Sequence, residues 1–518
     1  MWLSAEDKHI QDYCGIHFNT EPIKCLGIYI RGDEKLREDL NWVKKLRNFD
    51  NLLERWKERK LTIFGKVVVL KALAISQLVF NISVLPVSND IIKKINRSLF
   101  KFIWNSNDRI RRNVLINNKD NGGIDMIDIE CKVKALKAAW VSRIFLNDEC
   151  KWVSFLKEFL HRINFRLEHM TKMQFVDVKA FPVIKSLPKF YQDIVICFNN
   201  IKATKCKNGQ TSTFLSKMIW GNDEFTHKSK CLYLKNWINS GFIFVKDLFD
   251  KDGNFLTGKT ICERLHCTQN WMSEYLLVKT CIMVRARNFD CTHSTYINTH
   301  KLYQNLYMNY GNKQYDIREL NSKFYYKILI EKKCGRNYTE KCWQKKFSVE
   351  IFQSEWKDIY KSKVWKFPVK NIAEFNYKML HKLVYGKYEI SKWKKDVSPL
   401  CSYCNKIDSI EHMLFECSIV QTIWQRLGLL LKVNLKWKHV VLGFFIDGEV
   451  RTFRYVIISI VAYGIFKTKI IYEQKELQGN MPYDVMTEVI KTVNTLQMLK
   501  DRGLNGIKHR LKEVAREL

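Results

Sequence analysis

Residues 401–417 read CSYCNKIDSIEHMLFEC, a C-x2-C-x7-H-x4-C spacing that sets three cysteines and a histidine in seventeen positions. A C-x2-C turn brings two thiolates to one ion. His412 and Cys417 then supply a second pair, one of them at a helix start. Three thiolates and one imidazole complete the closed tetrahedron of structural Zn²⁺, with Cys401, Cys404, His412 and Cys417 as the ligands. All four positions are filled by protein, so no place remains for an activated water, and a catalytic zinc is not expected. Around the ligands, Asn405, Lys406, Asp408 and Ser409 suit a surface loop, while Met413, Leu414, Phe415 and Trp424 suit packing beneath it.

Upstream of this cluster, residues 357–396 hold eleven lysines against four acids. Tyr360, Trp365, Phe367, Phe375, Tyr377, Tyr385, Tyr388 and Trp393 are interleaved with them. Lysines tracking a phosphate backbone beside aromatics that stack on bases make a sequence-tolerant nucleic-acid surface. The competing reading is an amphipathic helix pair, with Phe375, Met379 and Leu383 in the core and the lysines in water. On the first reading Lys378, Lys387, Lys392, Lys394 and Lys395 are candidate contacts. The basic loop RIRRN (109–113) adds Arg109, Arg111 and Arg112.

The whole chain carries the same bias. Its 518 residues have a formal net charge of +34, which points to polyanionic partners, because neutralising phosphates releases condensed counterions. With 46% hydrophobic and 13% aromatic residues it can bury substantial cores, which excludes wholesale disorder. Seven prolines and twenty-one glycines leave little material for tight turns. The expected fold is mostly α: a multi-domain helical architecture of two to four domains, with a small CCHC zinc knuckle and a few short strands.

Along the chain, IKCLGIYI (23–30) reads as a strand. Periodic apolar positions then predict a helix from Asn41, with Trp42 to Trp56 on its apolar side, and helices over 61–84, 88–104 and 130–147, with the Gly122–Gly123 pair marking a turn. The division expected is 1–40 as a strand-and-turn segment, 41–147 helical, 148–350 a less defined helical linker, 351–430 around the knuckle, and 431–518 as C-terminal helices. The apolar runs at 67–87 and 455–466 are too interrupted or too short for membrane spans and read as buried helices. Sixteen irregularly spaced cysteines and an amino terminus without an apolar leader suggest a reducing compartment, nucleus or cytoplasm, rather than secretion. Nothing in the sequence sets an oligomeric state.

One motif competes. GNFLTGKT (Gly253–Thr260) satisfies the phosphate-loop pattern, with Lys259 placed for phosphates and Thr260 for Mg²⁺, and would make the chain a nucleotide hydrolase. That loop must follow a buried strand directly, yet KDLFDKD intervenes, and its interior is bulky where the chain should wrap tightly. A plain turn is the favoured reading. No H-E-x-x-H, G-x-S-x-G or G-x-G-x-x-G occurs, and there is no Asp-Asp pair.

Taken together, WKFPVKNIAEFNYKMLHKLV and SPLCSYCNKIDSIEHMLFECSIVQTIW resemble the reverse-transcriptase zinc-binding region of non-LTR (LINE-type) retrotransposons. In that family a W…P-V-K…F…K-L-L-H lead-in precedes the knuckle and a Trp comes after it, here Trp424. KCLGIYI, the long segment from Asn41 to Val87, FIWN and NGGIDMIDI are similar to the segment C-terminal to the polymerase palm. The resemblance implies the end of the palm at 1–40, a thumb-like region at 41–147 and the zinc-binding domain at 351–430. GFIFVKDLFDKDGNFLT is similar to a family linker, which weakens the phosphate-loop reading. The family's catalytic aromatic-Ala-Asp-Asp motif lies upstream of the K-C-L-G element and has no counterpart here. No fingers, palm, endonuclease or K-P-D element is recognised either. The resemblance therefore implies a non-catalytic, zinc-containing, nucleic-acid-binding fragment of a reverse transcriptase, with RNA or DNA as partner, no membrane and no small-molecule substrate. The alternative is a polymerase subunit active only with a palm supplied in trans.

Overall fold

The computed structural model describes residues 12–13, 16–17, 22–30, 33–105, 108–147, 149–161, 167, 184, 187–201, 214–266, 271–286, 306–311, 313–335, 337–444, 454–475, 479–495 and 505–518. Helices dominate these residues, as expected from the scarcity of turn formers. The strands form four short antiparallel pairs: β1 (Asp12–Tyr13) with β2 (Ile16–His17), β3 (Ile23–Cys25) with β4 (Ile28–Ile30), β5 (Thr226–His227) with β6 (Lys230–Cys231), and β7 (Tyr307–Tyr310) with β8 (Lys313–Asp316). The apolar run at 23–30 is thus a hairpin rather than one strand. Leu26 (φ 48°) and Gly27 (φ 82°) turn it, a two-residue left-handed pair that matches the twist of the flanking strands.

The chain divides into two compact units. One comprises 1–51, 74–97 and 128–333; the other comprises 52–73, 98–127 and 334–518. The stretch 41–147 contributes to both.

In the first unit, helix Ile129–Leu146 is central and is buried around most of its circumference. Ala135, Ala138 and Ala139 let Ser322–Lys333, Lys189–Asn199 and Ser76–Val84 pack against it. Asp128 caps its start by accepting from the Cys131 amide at 2.8 Å. Lys333 reaches back to Asp128 and Glu130, 2.8 Å from each. Hydrogen bonds from Lys134 and Lys333 hold the Glu130 carboxyl down at about 2. Two of the buried polar contacts are the Ser142 and Tyr325 hydroxyls, 3.0 Å apart, and the Trp140 indole N–H, which donates to the Ser83 carbonyl at 2.9 Å.

The segment expected as one helix at 61–84 is two, Ile63–Val69 and Ser76–Val84, separated by a π-helical turn at Leu70–Ala74.

In the second unit, helix Lys370–Leu380 packs against Trp437–Leu442 and the long helix Arg454–Lys475. Phe375 meets Tyr463 and Phe466 at ring separations of 5.6 and 5.1 Å. Helix Met481–Thr495 lies on the other side of Arg454–Lys475, where Gly464 allows Val485 and Val489 to approach closely. By length and apolarity Arg454–Lys475 could cross a membrane, but 61% of its apolar window is buried in protein, as in a core helix.

The turn after Gly122 locks onto the same assembly. The Gly122 carbonyl accepts from the Tyr377 hydroxyl at 3.2 Å and pairs with His381 Nε2 at 2.9 Å. Gly122 has φ +74°, and a Cβ there would lie 2.7 Å from the Tyr360 ring, so only glycine fits. The Tyr and His of the lead-in motif thus hold the NGG turn, joining sequence-distant elements in one core.

The phosphate-loop candidate folds as the turn expected of the plain reading. Residues 250–254 close on Asp250, Phe249 and Phe255 form an isolated bridge, and Thr257 caps helix Gly258–Leu265. A short 3₁₀ turn, Val245–Leu248, precedes it in place of a strand, and the Thr260 hydroxyl lies 3.0 Å from that of Thr257.

Candidate metal centre

The cluster is built on a small hairpin. Leu400 and Ile407 form an antiparallel bridge, and the Asp408 amide donates to the Pro399 carbonyl at 2.9 Å. Within it, the Cys401 amide donates to the Lys406 carbonyl at 2.8 Å and the Asn405 amide to the Cys401 carbonyl at 3.0 Å. Asn405 takes the left-handed conformation (φ 56°) that tightens the loop around the two sulfurs. The chain then enters a π-helical turn, His412–Glu416, with the His412 amide donating to Ser409 Oγ at 3.2 Å. Cys417 sits at the start of helix Ser418–Leu431, its carbonyl accepting from the Gln421 amide at 2.8 Å.

These elements bring all four ligand atoms within 4.8 Å of one another. Cys401 Sγ lies 3.8 Å from Cys417 Sγ, and Cys404 Sγ lies 3.1 Å from His412 Nε2. A tetrahedron with metal–sulfur bonds of about 2.3 Å has sulfur–sulfur edges of about 3.8 Å, so the donor set fits a single tetrahedral ion. The same separation is far beyond a disulfide bond of about 2 Å. Between the two buried sulfurs, a hydrogen bond from the Cys417 thiol holds Cys401 well below the ordinary thiol range and pushes Cys417 above it.

The floor beneath the site is apolar, as expected. Met413, Leu414 and Trp424 are buried, and the Trp424 indole donates to the Leu414 carbonyl at 2.8 Å. Asp408 departs from expectation. It is not part of an exposed loop but is 1% exposed, at the crossing of several elements. Its carbonyl accepts from the Tyr388 amide at 3.0 Å, and its carboxylate faces Lys469 of the long helix at 3.8 Å. Burial raises its pKa, opposed by the Lys469 charge. Lys469, itself 1% exposed, also lies 3.9 Å from Cys401 Sγ. It was invisible to motif reading because it sits far along the sequence in an apolar helix.

The candidate nucleic-acid contacts fare unequally. Lys392, Lys394 and Lys395 are exposed in the segment just before the hairpin, beside the exposed Trp393 and Tyr388. Lys392 lies over the Tyr388 ring at 4.3 Å, and Tyr385 packs edge-on to Trp393 at 5.0 Å. By contrast, Lys378 pairs with Glu374 at 2.8 Å and Lys387 with Glu473 at 3.1 Å. Arg109 and Arg111 are exposed, while Arg112 pairs with Asp108 at 2.7 Å and covers the Phe100 ring. Of the upstream aromatics, Tyr360, Phe367, Phe375 and Tyr377 are buried, as in the amphipathic-helix reading.

Residues 338–424 match the family described as zinc-binding in reverse transcriptase. The chain is also similar to the "Transposon TX1 uncharacterized 149 kDa protein" of Xenopus laevis, 20% identical over 214 residues. That match covers 40% of this chain and 16% of the relative, so the chain spans a small part of the relative's length. The lead-in helix, the four-donor hairpin and Trp424 all fall inside the matched span, and the chain resembles the C-terminal, zinc-binding part of non-LTR retrotransposon reverse transcriptases.

Proposed function

We propose that the chain is a non-catalytic nucleic-acid-binding region of a retrotransposon reverse transcriptase, organised by a structural Zn²⁺ at Cys401, Cys404, His412 and Cys417. The observation that carries this reading is the closed four-donor cluster with the exposed KWKK segment, residues 392–395, next to it in the chain. When bound, the ion would fix the hairpin and the start of helix Ser418–Leu431, with no open position for chemistry. Around it, Lys392, Lys394 and Lys395 neutralise phosphates, and Trp393 and Tyr388 offer faces to unpaired bases. The absence of an Asp-Asp pair from the 518 residues supports a binding rather than a polymerising role. The partner is RNA or DNA, and the nucleus or cytoplasm is the compartment in which it would be met.

The test is binding of purified full chain to labelled single-stranded and duplex RNA and DNA over a salt series. Affinity should fall steeply with salt and vary little with sequence. An affinity unchanged between low and moderately high salt would refute the reading.

A further inference from the structure

Lys469 lies on helix Arg454–Lys475, forty-five residues past the end of the matched zinc-binding region at 424. The residue is 1% exposed, and its ammonium faces Asp408 Oδ1 at 3.8 Å and Cys401 Sγ at 3.9 Å. The Tyr403 ring lies 5.8 Å away. A lysine so fully buried persists only when its charge is matched. Asp408 at 3.8 Å is nearer than the sulfur by only 0.1 Å, so the ammonium faces both groups.

The charge count explains why. Three thiolates around a dication leave a net charge of −1, and Asp408 brings it to −2 in a region from which water is excluded. The neighbouring lysine does not help, since Lys387 is engaged with Glu473 and with Ser402 Oγ. A single buried cation facing both sulfur and carboxylate returns the group to −1. Burying that remaining charge is less costly because the hairpin rim is open to solvent at Ser402 and Asn405.

We propose that Lys469 is a positioning residue of the metal centre, supplying from the C-terminal helix the positive charge that stabilises the metal-bound Cys401 thiolate. The inference rests on the zinc reading above. It makes the functional metal unit longer than the matched region: residues 338–424 hold the ligands, and helix Arg454–Lys475 holds the counter-charge.

The experiment compares full-length wild type with Lys469→Met, Lys469→Arg and Asp408→Asn, loaded with Zn²⁺ or Co²⁺. Three quantities are read: the rate of zinc transfer to a colorimetric chelator, the thiolate-to-cobalt absorption, and the melting temperature with and without metal. Lys469→Met should release zinc at least tenfold faster while the cobalt spectrum still reports three thiolates. Its melting temperature without metal shows that the variant still folds. Lys469→Arg should stay within threefold of wild type, and Asp408→Asn, which removes the competing carboxylate, should slow release. Release from Lys469→Met within twofold of wild type overturns the proposal. If Lys469→Met does not fold, an unchanged release rate in Asp408→Asn overturns it instead. Wild type that takes up neither metal removes the zinc reading itself, a different failure.

Discussion

Glu340 and His381 face one buried cluster and should impose opposite pH dependences on it. Glu340 accepts from the Tyr360 hydroxyl at 3.0 Å, and Asn337 joins Tyr360 at 2.7 Å to His381 Nδ1 at 3.5 Å. Burial pushes the Glu340 carboxyl from 4.5 up to about 7. Burial holds His381 down from 6.5 to about 4, although its bond to the Gly122 carbonyl favours the proton. The raised carboxyl stabilises the fold fully below pH 4.5, and that contribution is lost as pH rises through 7. The depressed imidazole does the reverse: its contribution is present above pH 6.5 and lost as pH falls through 4. Each displacement corresponds to about 3 kcal/mol at most, and solvent reaching Glu340 brings its share nearer 1–2 kcal/mol. Between pH 4.5 and 6.5 the two slopes oppose each other, so wild-type stability should be nearly flat in that window. Glu340→Gln keeps the acceptor for Tyr360 but removes the titration, so stability should rise with pH by about 2 kcal/mol. His381→Gln should instead fall with rising pH by about 1–2 kcal/mol. The assay is urea-dependent hydrogen exchange of zinc-loaded full chain, read on peptides covering 338–347 and 370–380. Differences between variants cancel the acid sensitivity of the metal site. Parallel pH curves for wild type and both variants would refute the burial argument.

Three other outcomes are expected at the knuckle. Cys401→Ser should abolish one-per-chain zinc by elemental analysis and raise hydrogen exchange throughout 399–417, because metal binding and local folding are one equilibrium. Gly386→Ala should cost roughly 2–4 kcal/mol or prevent folding of the hairpin, since a Cβ there would overlap the Asp408 carbonyl; the same exchange measurement reads it. Replacing Lys392, Lys394 and Lys395 together by Ala should lower the slope of log affinity against log salt by roughly 2–3, at about 0.9 per phosphate contact on duplex DNA. An unchanged slope would take that segment out of the interface.

Much of the helical layout was legible because it is written in short-range pattern. Helix Ile129–Leu146 matches the expected 130–147 to within a residue at each end, since its apolar spacing and its cap at Asp128 lie within one stretch. The break at Leu70–Ala74 was not legible. Leu, Lys and Ala are all good helix formers, so local propensity gave no reason for a π-helical turn there. The hairpin at 23–30 was half read: β-branched residues announced extended chain, but Leu26, 85% exposed, carries the turn in a conformation that leucine rarely adopts.

The metal site divides along the same line. Ligand identity and order are set by spacing within seventeen residues, and the structure gathers all four donor atoms. What surrounds them depends on contacts across tens of residues. Asp408 looked like a surface acid because it stands among the polar residues Asn405, Lys406 and Ser409, yet its own side chain turns inward to meet a lysine sixty-one positions away, at 469 against 408. Lys469 lies beyond the apolar run at 455–466 and carries no motif that would single it out. Each residue alone is a buried charge that sequence reading would place in water; only the pair beside the thiolates makes either placement favourable. Local spacing therefore identifies which atoms would bind a metal, whereas the charge environment that decides how firmly they hold it is set by the fold.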